Sequence, residues 1–387
     1  MSSEPFTVAV SDDTLQDLQD RLERTRWPLD VANADWRYGA ERSYLQELVE
    51  YWRTSYDWRA QERAINSVHH YRTTIDEIPI HFIHEPGHGP APIPLILSHG
   101  WPWTFWDYHK VIGPLSDPAS FGGDPADAFD VVVPSLPGFG FSVPLTRPGI
   151  EWAATADLWV KLMREELGYD RFAAQGGDWG ALVTEQLGHK YAQHMIGIHL
   201  GLAVPMTLFV TGLPREDEYA DDEKERFRHT QARMAVGTAH WVVQAADPQT
   251  LAYALHDSPV GLCAWLLERR RSWSDSHGDV ESRFSKDDLL TITMLYWVSN
   301  STVSSMRYYW EAEHTTWTPA HDRMPAVEAP TAITLFPQEL MTMPQRYLET
   351  YYNLKRVTPM PSGGHFHPME EPDLLVQDIR EFFRPLR

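Results

Sequence analysis

Apolar residues recur along the first positions of the chain with the spacing of one helical face. In SDDTLQDLQDRLERTRW, Leu15, Leu18 and Leu22 lie three or four residues apart. This predicts an amphipathic helix with Ser11 or Asp12 at its N-cap. A second helix is expected over residues 41–53, and WRTSYDWRAQERAIN continues it with tryptophan anchors. IPIHFIHE then reads as a strand, and the Pro/Gly segment PGHGPAPIP as the entry to the main core. Beyond it, IPLILSH, FDVVVPS, RFAAQGG, IGIHL and TAITLFP are short apolar runs. EWAATADLWVKLMREEL and GALVTEQLGHKYA, between them, carry helical spacing. Such alternation predicts a largely parallel sheet covered by helices.

The alternation stops between residues 205 and 325. HWVVQAADPQTLAYALHDSP, GLCAWLLERRRSW and LLTITMLYWVSNSTVSSMRYYWEAEH are aromatic-rich and lack the strand pattern. They read as a helical subdomain inserted after a core strand. The core resumes at TAITLFP and closes with the amphipathic DLLVQDIREFF. The expected organisation is therefore an N-terminal region over 1–90, a first core part over 91–204, a helical lid over 205–325 and a second core part over 326–387. No internal repeat or low-complexity tract is visible.

Composition narrows the class. A chain of 387 residues holds either one large core with an insertion or two ordinary domains. A formal charge of −21 disfavours a nucleic-acid partner, which needs a basic face, and an anionic membrane surface as well. Cys263 is the single cysteine, so no internal disulfide framework exists and a reducing compartment fits. MSSEPFTVAVSDD has neither the basic nor the apolar segment of a signal peptide, and no run of about eighteen apolar residues occurs. A cytoplasmic protein is the simplest expectation. Only 6 of the 33 basic residues are lysine, the bias expected of a GC-rich genome.

In an open parallel sheet, reactive groups collect at the carboxyl ends of the strands. Four stretches map there: HGWP at 99–102, GGDWG at 176–180, FPQEL at 336–340 and GGHF at 363–366. GGDWG has the glycine spacing of a nucleophile elbow, a strained strand-to-helix turn that normally presents serine. Here Asp178 replaces it. A carboxylate is already a nucleophile at neutral pH and suits displacement at a saturated carbon, leaving an ester on the enzyme. Hydrolysing that ester needs a general base. His365, in a glycine-flanked loop, is a candidate, and His367, two residues on, competes for the role. The order nucleophile, acid, histidine points to Glu339 as the group that orients the base. Backbone N–H groups of Trp101 and Trp179 are the expected oxyanion donors, and His99 the expected structural hydrogen-bonder.

The ordered set RLERTRWP, YWRTSYDWRAQE, IPIHFIHE, SHGWP, PSLPGFGFS, GGDWG, PQTLAYALHDSPVGL, LYW and GGHF…EEPDLL resembles the epoxide hydrolases of the α/β-hydrolase fold. The likeness is to the microsomal-type branch in particular and covers essentially the whole chain. It implies an α/β-hydrolase fold with a mostly parallel central sheet, a helical lid insertion and an N-terminal helical extension. It also implies Asp178 as nucleophile, His365 as water-activating base and Glu339 as relay acid. Two lid tyrosines protonate the epoxide oxygen in that family. SSMRYYWE matches the second, assigning it to Tyr309 rather than Tyr308, whereas the first falls on His240. His240 as a substitute donor, His240 as a residue that merely packs, Trp241 as a reshaper of the pocket, and Tyr309 acting alone all stay open.

The implied partner is a small-molecule epoxide, apolar or aromatic if Trp241, Trp265, Trp297 and Trp310 line the pocket. No metal or organic cofactor is required, no nucleic-acid or membrane partner is expected, and self-association into a homo-oligomer stays open. A haloalkane dehalogenase shares the aspartate nucleophile, and a non-catalytic ligand-binding protein on the same fold is the other alternative.

Overall fold

The computed structural model describes residues 3–204, 206–207 and 212–387. A nine-stranded sheet forms the centre: β1 (Glu4–Phe6), β2 (His70–Ile75), β3 (Ile78–Glu85), β4 (Ile93–Ser98), β5 (Phe129–Pro134), β6 (Phe172–Gly176), β7 (Met195–Leu200), β8 (Val327–Leu335) and β9 (Tyr352–Pro359). Their spatial order is β1-β2-β3-β5-β4-β6-β7-β8-β9. The β1–β2, β2–β3 and β3–β5 pairs are antiparallel, and every pair from β5 through β4 to β9 is parallel. The central parallel strands β4 to β7 are largely apolar because helices cover them. All five residues of β6 are buried, as are five of the six in β4. The helix Trp152–Lys161 packs on Trp179–Lys190, and His109–Ser116 packs on Pro372–Phe383, over this sheet.

Three strands went unpredicted, for a common reason. β2 reads HYRTTI and β9 reads YNLKRVTP, each largely polar and only partly buried, and β1 has three residues. These strands lie toward the sheet's edges, where no second layer demands continuous apolar sequence. The helical run through WRTSYDWRAQERAIN is also broken, at residues 55–57. There Asp57 caps a separate helix, Trp58–Ile65, by accepting the Ala60 amide at 3.0 Å. Ser11 caps the first helix, Asp12–Glu23, as its position suggested.

Between β7 and β8 the described residues form six α-helices: Lys224–Gly237, Ala239–Ala246, Pro248–Asp257, Pro259–Trp273, Lys286–Ser299 and Thr302–His314. This is the helical lid. The first 90 residues serve both parts of the molecule. Their strands extend the sheet, while Asp12–Glu23 packs on Pro259–Trp273 and Arg42–Thr54 packs on Lys286–Ser299. Tyr51 donates to Asp287 at 2.9 Å across that contact. Among the described residues, no helix is long and apolar enough to cross a membrane.

The order β5-β4-β6 is a switch point: the chain leaves β4 for one neighbour and returns on the other side. The parallel register pairs Ser98 with Gly176, so the loops after β4 and β6 emerge side by side. At the far end, an isolated parallel bridge pairs Gln338 with Gly364. The next residue on each strand is Glu339 and His365. The unpredicted β9 thus carries the histidine loop to the same edge as the elbow.

Candidate active site

Asp178 sits at φ 52° and ψ −129°, between the last residue of β6 and the first residue of the helix Trp179–Lys190. With ψ at −129° this lies outside the left-handed helical region and is strained for any side chain, as expected of a nucleophile elbow. The turn is so tight that a Cβ on Gly180 would lie 1.9 Å from the Ser98 carbonyl oxygen. A Cβ on Gly100 would meet Asp178 Oδ1 at 2.1 Å. Glycine at these two positions is what lets the HGWP loop lie against the carboxylate.

The carboxylate is held from two sides. Trp101 N–H donates to Oδ1 at 2.8 Å, and His365 Nε2 lies 3.1 Å from Oδ2. His365 Nδ1 lies 2.7 Å from Glu339 Oε1, which also accepts the Leu340 amide at 2.6 Å. His365 and Glu339 are buried. Burial opposes a charged imidazole, but the Glu339 and Asp178 carboxylates outweigh it and raise the His365 pKa. The histidine loop is anchored from both sides as well. His365 N–H donates to the Trp273 carbonyl at 3.1 Å, and Gly363 N–H to Asp275 at 2.9 Å, both partners lying at the end of a lid helix.

Of the two histidines in this loop, His365 reaches Asp178. His367 stacks on Phe336 at 4.8 Å behind the elbow, and burial pushes its pKa down. His99 accepts the Leu136 amide at Nε2 and donates from Nδ1 to Gly100 O, a structural bracket between two loops.

Above the carboxylate lies a largely apolar cavity of about 70 Å³. Asp178, Trp179, His240, Trp241, Trp273, Tyr309 and His365 line it, with Leu182, Leu202, Val204, Met234, Leu340 and Met341. Tyr309 and Tyr308 are adjacent in sequence but diverge. Tyr308 hydroxyl bonds Thr155 at 2.8 Å, whereas Tyr309 faces the cavity and meets Trp179 edge to face at 4.8 Å. Burial and the Asp178 carboxylate push the Tyr309 pKa well above that of an ordinary phenol. His240 meets Tyr309 edge to face at 5.3 Å and stacks on Trp101 at 5.1 Å, with 4° between the planes.

The expected aromatic pocket is only partly the one found. Trp241 lines the cavity, but Trp265 and Trp297 pack elsewhere in the lid, and Trp310, 39% exposed, stacks on His314. Helical spacing cannot say which face of a lid helix turns inward. Trp273 was missed, although it meets the His365 ring at 5.1 Å. A larger surface cleft of about 840 Å³ lies between the first helix and the lid, with Arg21, Asp30 and Asp257 on its walls, and it contains none of these groups. Among the described residues, no cluster of three or more His, Cys, Asp or Glu is disposed to hold a metal ion.

Residues 3–108 match the family described as Epoxide hydrolase N terminus, and residues 93–238 match the alpha/beta hydrolase fold. Epoxide hydrolase 1 of Oryctolagus cuniculus is 38% identical over 98% of this chain and 88% of its own length. The chain belongs to the epoxide hydrolase family. Among solved structures, the epoxide hydrolase of Aspergillus niger superposes with a TM-score of 0.85 at 26% identity, covering 100% of this chain and 97% of that one. The juvenile hormone epoxide hydrolase of the silkworm Bombyx mori gives 0.87 at 27% identity, covering 100% and 95%. The family therefore accounts for the helical lid and for an N-terminal region that joins the core sheet.

Proposed function

We propose that the protein converts an epoxide to a vicinal diol through an ester on Asp178. The observation that carries this reading is the line Glu339–His365–Asp178 with Trp101 N–H on Oδ1, closed by Tyr309 across the cavity. Oδ1 is committed to the backbone amide, so Oδ2 is the attacking atom. Oδ2 bonds a ring carbon, the ring C–O bond breaks, and the oxygen takes the Tyr309 proton. The raised Tyr309 pKa keeps that proton in place until charge develops on the oxygen.

Ester formation removes one of the two carboxylates that favour the His365 cation. The imidazole can then lose its proton to solvent and act as a base. His365 takes a proton from water, which attacks the Asp178 carboxyl carbon. Negative charge gathers on Oδ1, where Trp101 N–H receives it, with the Trp179 amide as the proposed second donor. The bond to Oδ2 breaks, and the diol leaves with that oxygen and the proton from His365. The carboxyl proton left on Asp178 returns to Tyr309, and His365 regains from solvent the proton it gave up before water attacked, restoring the enzyme.

Tyr309 also separates this reading from a dehalogenase, which needs halide-binding N–H donors rather than a phenolic acid. An intact-protein mass measurement on His365→Gln after exposure to small epoxides tests the route. A mass gain equal to the whole epoxide, mapped to Asp178, is the expected result. A variant that still releases diol but never carries that adduct rules the ester out.

A further inference from the structure

Within the epoxide-hydrolase reading, His240 occupies the place where a second proton donor is expected, yet its hydrogen bonding makes it the reverse. Its Nδ1 lies 3.0 Å from the carbonyl oxygen of Gly237. A carbonyl only accepts, so Nδ1 carries the ring's hydrogen. Arg269 points a guanidinium N–H at the same carbonyl, at 3.5 Å. Burial, reinforced by Arg269, lowers the His240 pKa to about 3, so no second proton is held at neutral pH. Nε2 is therefore a lone pair. A half-turn of the ring would keep its stack on Trp101 but lose the bond to Gly237, so that bond fixes which edge of the ring faces which way.

We propose that His240 Nε2 is a hydrogen-bond acceptor on the lid wall that selects epoxides bearing a hydroxyl on the carbon next to the ring. Tyr309 donates to the ring oxygen, and His240 lines the same cavity, its ring edge to face with that of Tyr309 at 5.3 Å. An epoxy alcohol presents these two functions side by side: an oxygen that needs a donor and a hydroxyl that needs an acceptor. In a largely apolar cavity, a substrate hydroxyl left without a partner is penalised.

Glycidol and glycidyl methyl ether make the test, because methylation removes the donor and leaves the ring. Diol formation is measured with the wild-type protein, His240→Phe and His240→Tyr, and the ratio of kcat/KM for alcohol over ether is compared. A neutral hydrogen bond implies that His240→Phe lowers this ratio by roughly three- to tenfold. His240→Tyr lowers it too, while raising turnover of both compounds through a second donor. The ratio is internal to each variant, so partial misfolding cancels. An unchanged ratio with both rates reduced in His240→Phe makes His240 a donor or a packing group and overturns the proposal. Absence of diol from both compounds with wild-type protein overturns the epoxide reading itself, and this inference with it.

Discussion

On the core side of the cavity, Glu339, His365, Asp178 and the Trp101 amide are joined by contacts of 2.7, 3.1 and 2.8 Å. On the lid side, Tyr309 and His240 stand among Trp101, Trp179, Trp241 and Trp273 and are positioned chiefly by ring packing, with centroids 4.7–5.8 Å apart. The core side is dictated by strand register and a strained turn, which leave its polar atoms little freedom. The lid side is dictated by shape, which aromatic residues fill in many ways. In the proposed route the bond-making chemistry falls to the core wall, and the choice of what is protonated and bound to the lid wall.

The largest effect should come from the rigid wall. Asp178→Asn is isosteric, so it sits in the same strained turn and still offers Oδ1 to Trp101, but it lacks a nucleophilic carboxylate. Steady-state diol formation should fall by at least about 10⁴-fold. Near wild-type turnover from a variant shown by mass to be undeamidated would refute Asp178 as nucleophile.

The two walls are tied by one buried ion pair. Arg270, on the lid helix Pro259–Trp273, reaches Asp107 at 2.6 Å and the Pro102 carbonyl at 2.9 Å, within and just after the HGWP loop. Both side chains are buried. Arg270→Met strands the Asp107 charge and should cost about 3–5 kcal/mol in denaturant unfolding. Adding Asp107→Asn removes that charge and should recover part of the loss. If the single and double variants unfold alike, the lid is held by its packing alone.

A smaller and more selective effect is expected on the lid wall. Tyr309→Phe keeps the ring among its neighbours and removes the proton, so ester formation should slow by about 10²-fold. Hydrolysis of the ester, performed by the core wall, should keep its rate. Rapid-quench kinetics separate the two steps, and equal slowing of both would show that the walls do not act independently.

The same contrast explains what the sequence revealed. GGDWG was readable because backbone geometry at Asp178 restricts which residues fit around it, and HGWP because Gly100 must admit the carboxylate. Tyr309 was separable from Tyr308 only through its motif, since both are buried and neighbours on one helix. The tryptophans show the limit. Trp241 and Trp265 are alike as letters, and only the orientation of each lid helix brings one to the cavity. β9 was invisible for a related reason: its half-exposed face keeps polar residues, although it delivers His365. The protonation of His240 depends on the carbonyl of Gly237, a backbone atom whose direction no side-chain pattern records.

The finest distinction lies within the core wall and concerns one charge. Burial disfavours the His365 cation, but Glu339 and Asp178 together raise its pKa to about 10. For stability the sign is that of a raised base. The contribution is complete below the ordinary imidazole value of about 6.5 and is lost as pH rises through the raised one. For catalysis the two steps should diverge. Asp178 attacks while His365 is still charged, so ester formation should change little between about pH 6 and 8. Once Asp178 is an ester, only Glu339 supports the cation, and removal of one neighbouring carboxylate should bring the midpoint down by about 1–3 pH units. Ester hydrolysis should therefore rise with pH through a midpoint below that of the free enzyme, as measured by single-turnover decay of the adduct. Matching midpoints for the free and esterified protein would mean that Asp178 does not share the His365 proton, and that Glu339 alone sets when the base becomes available.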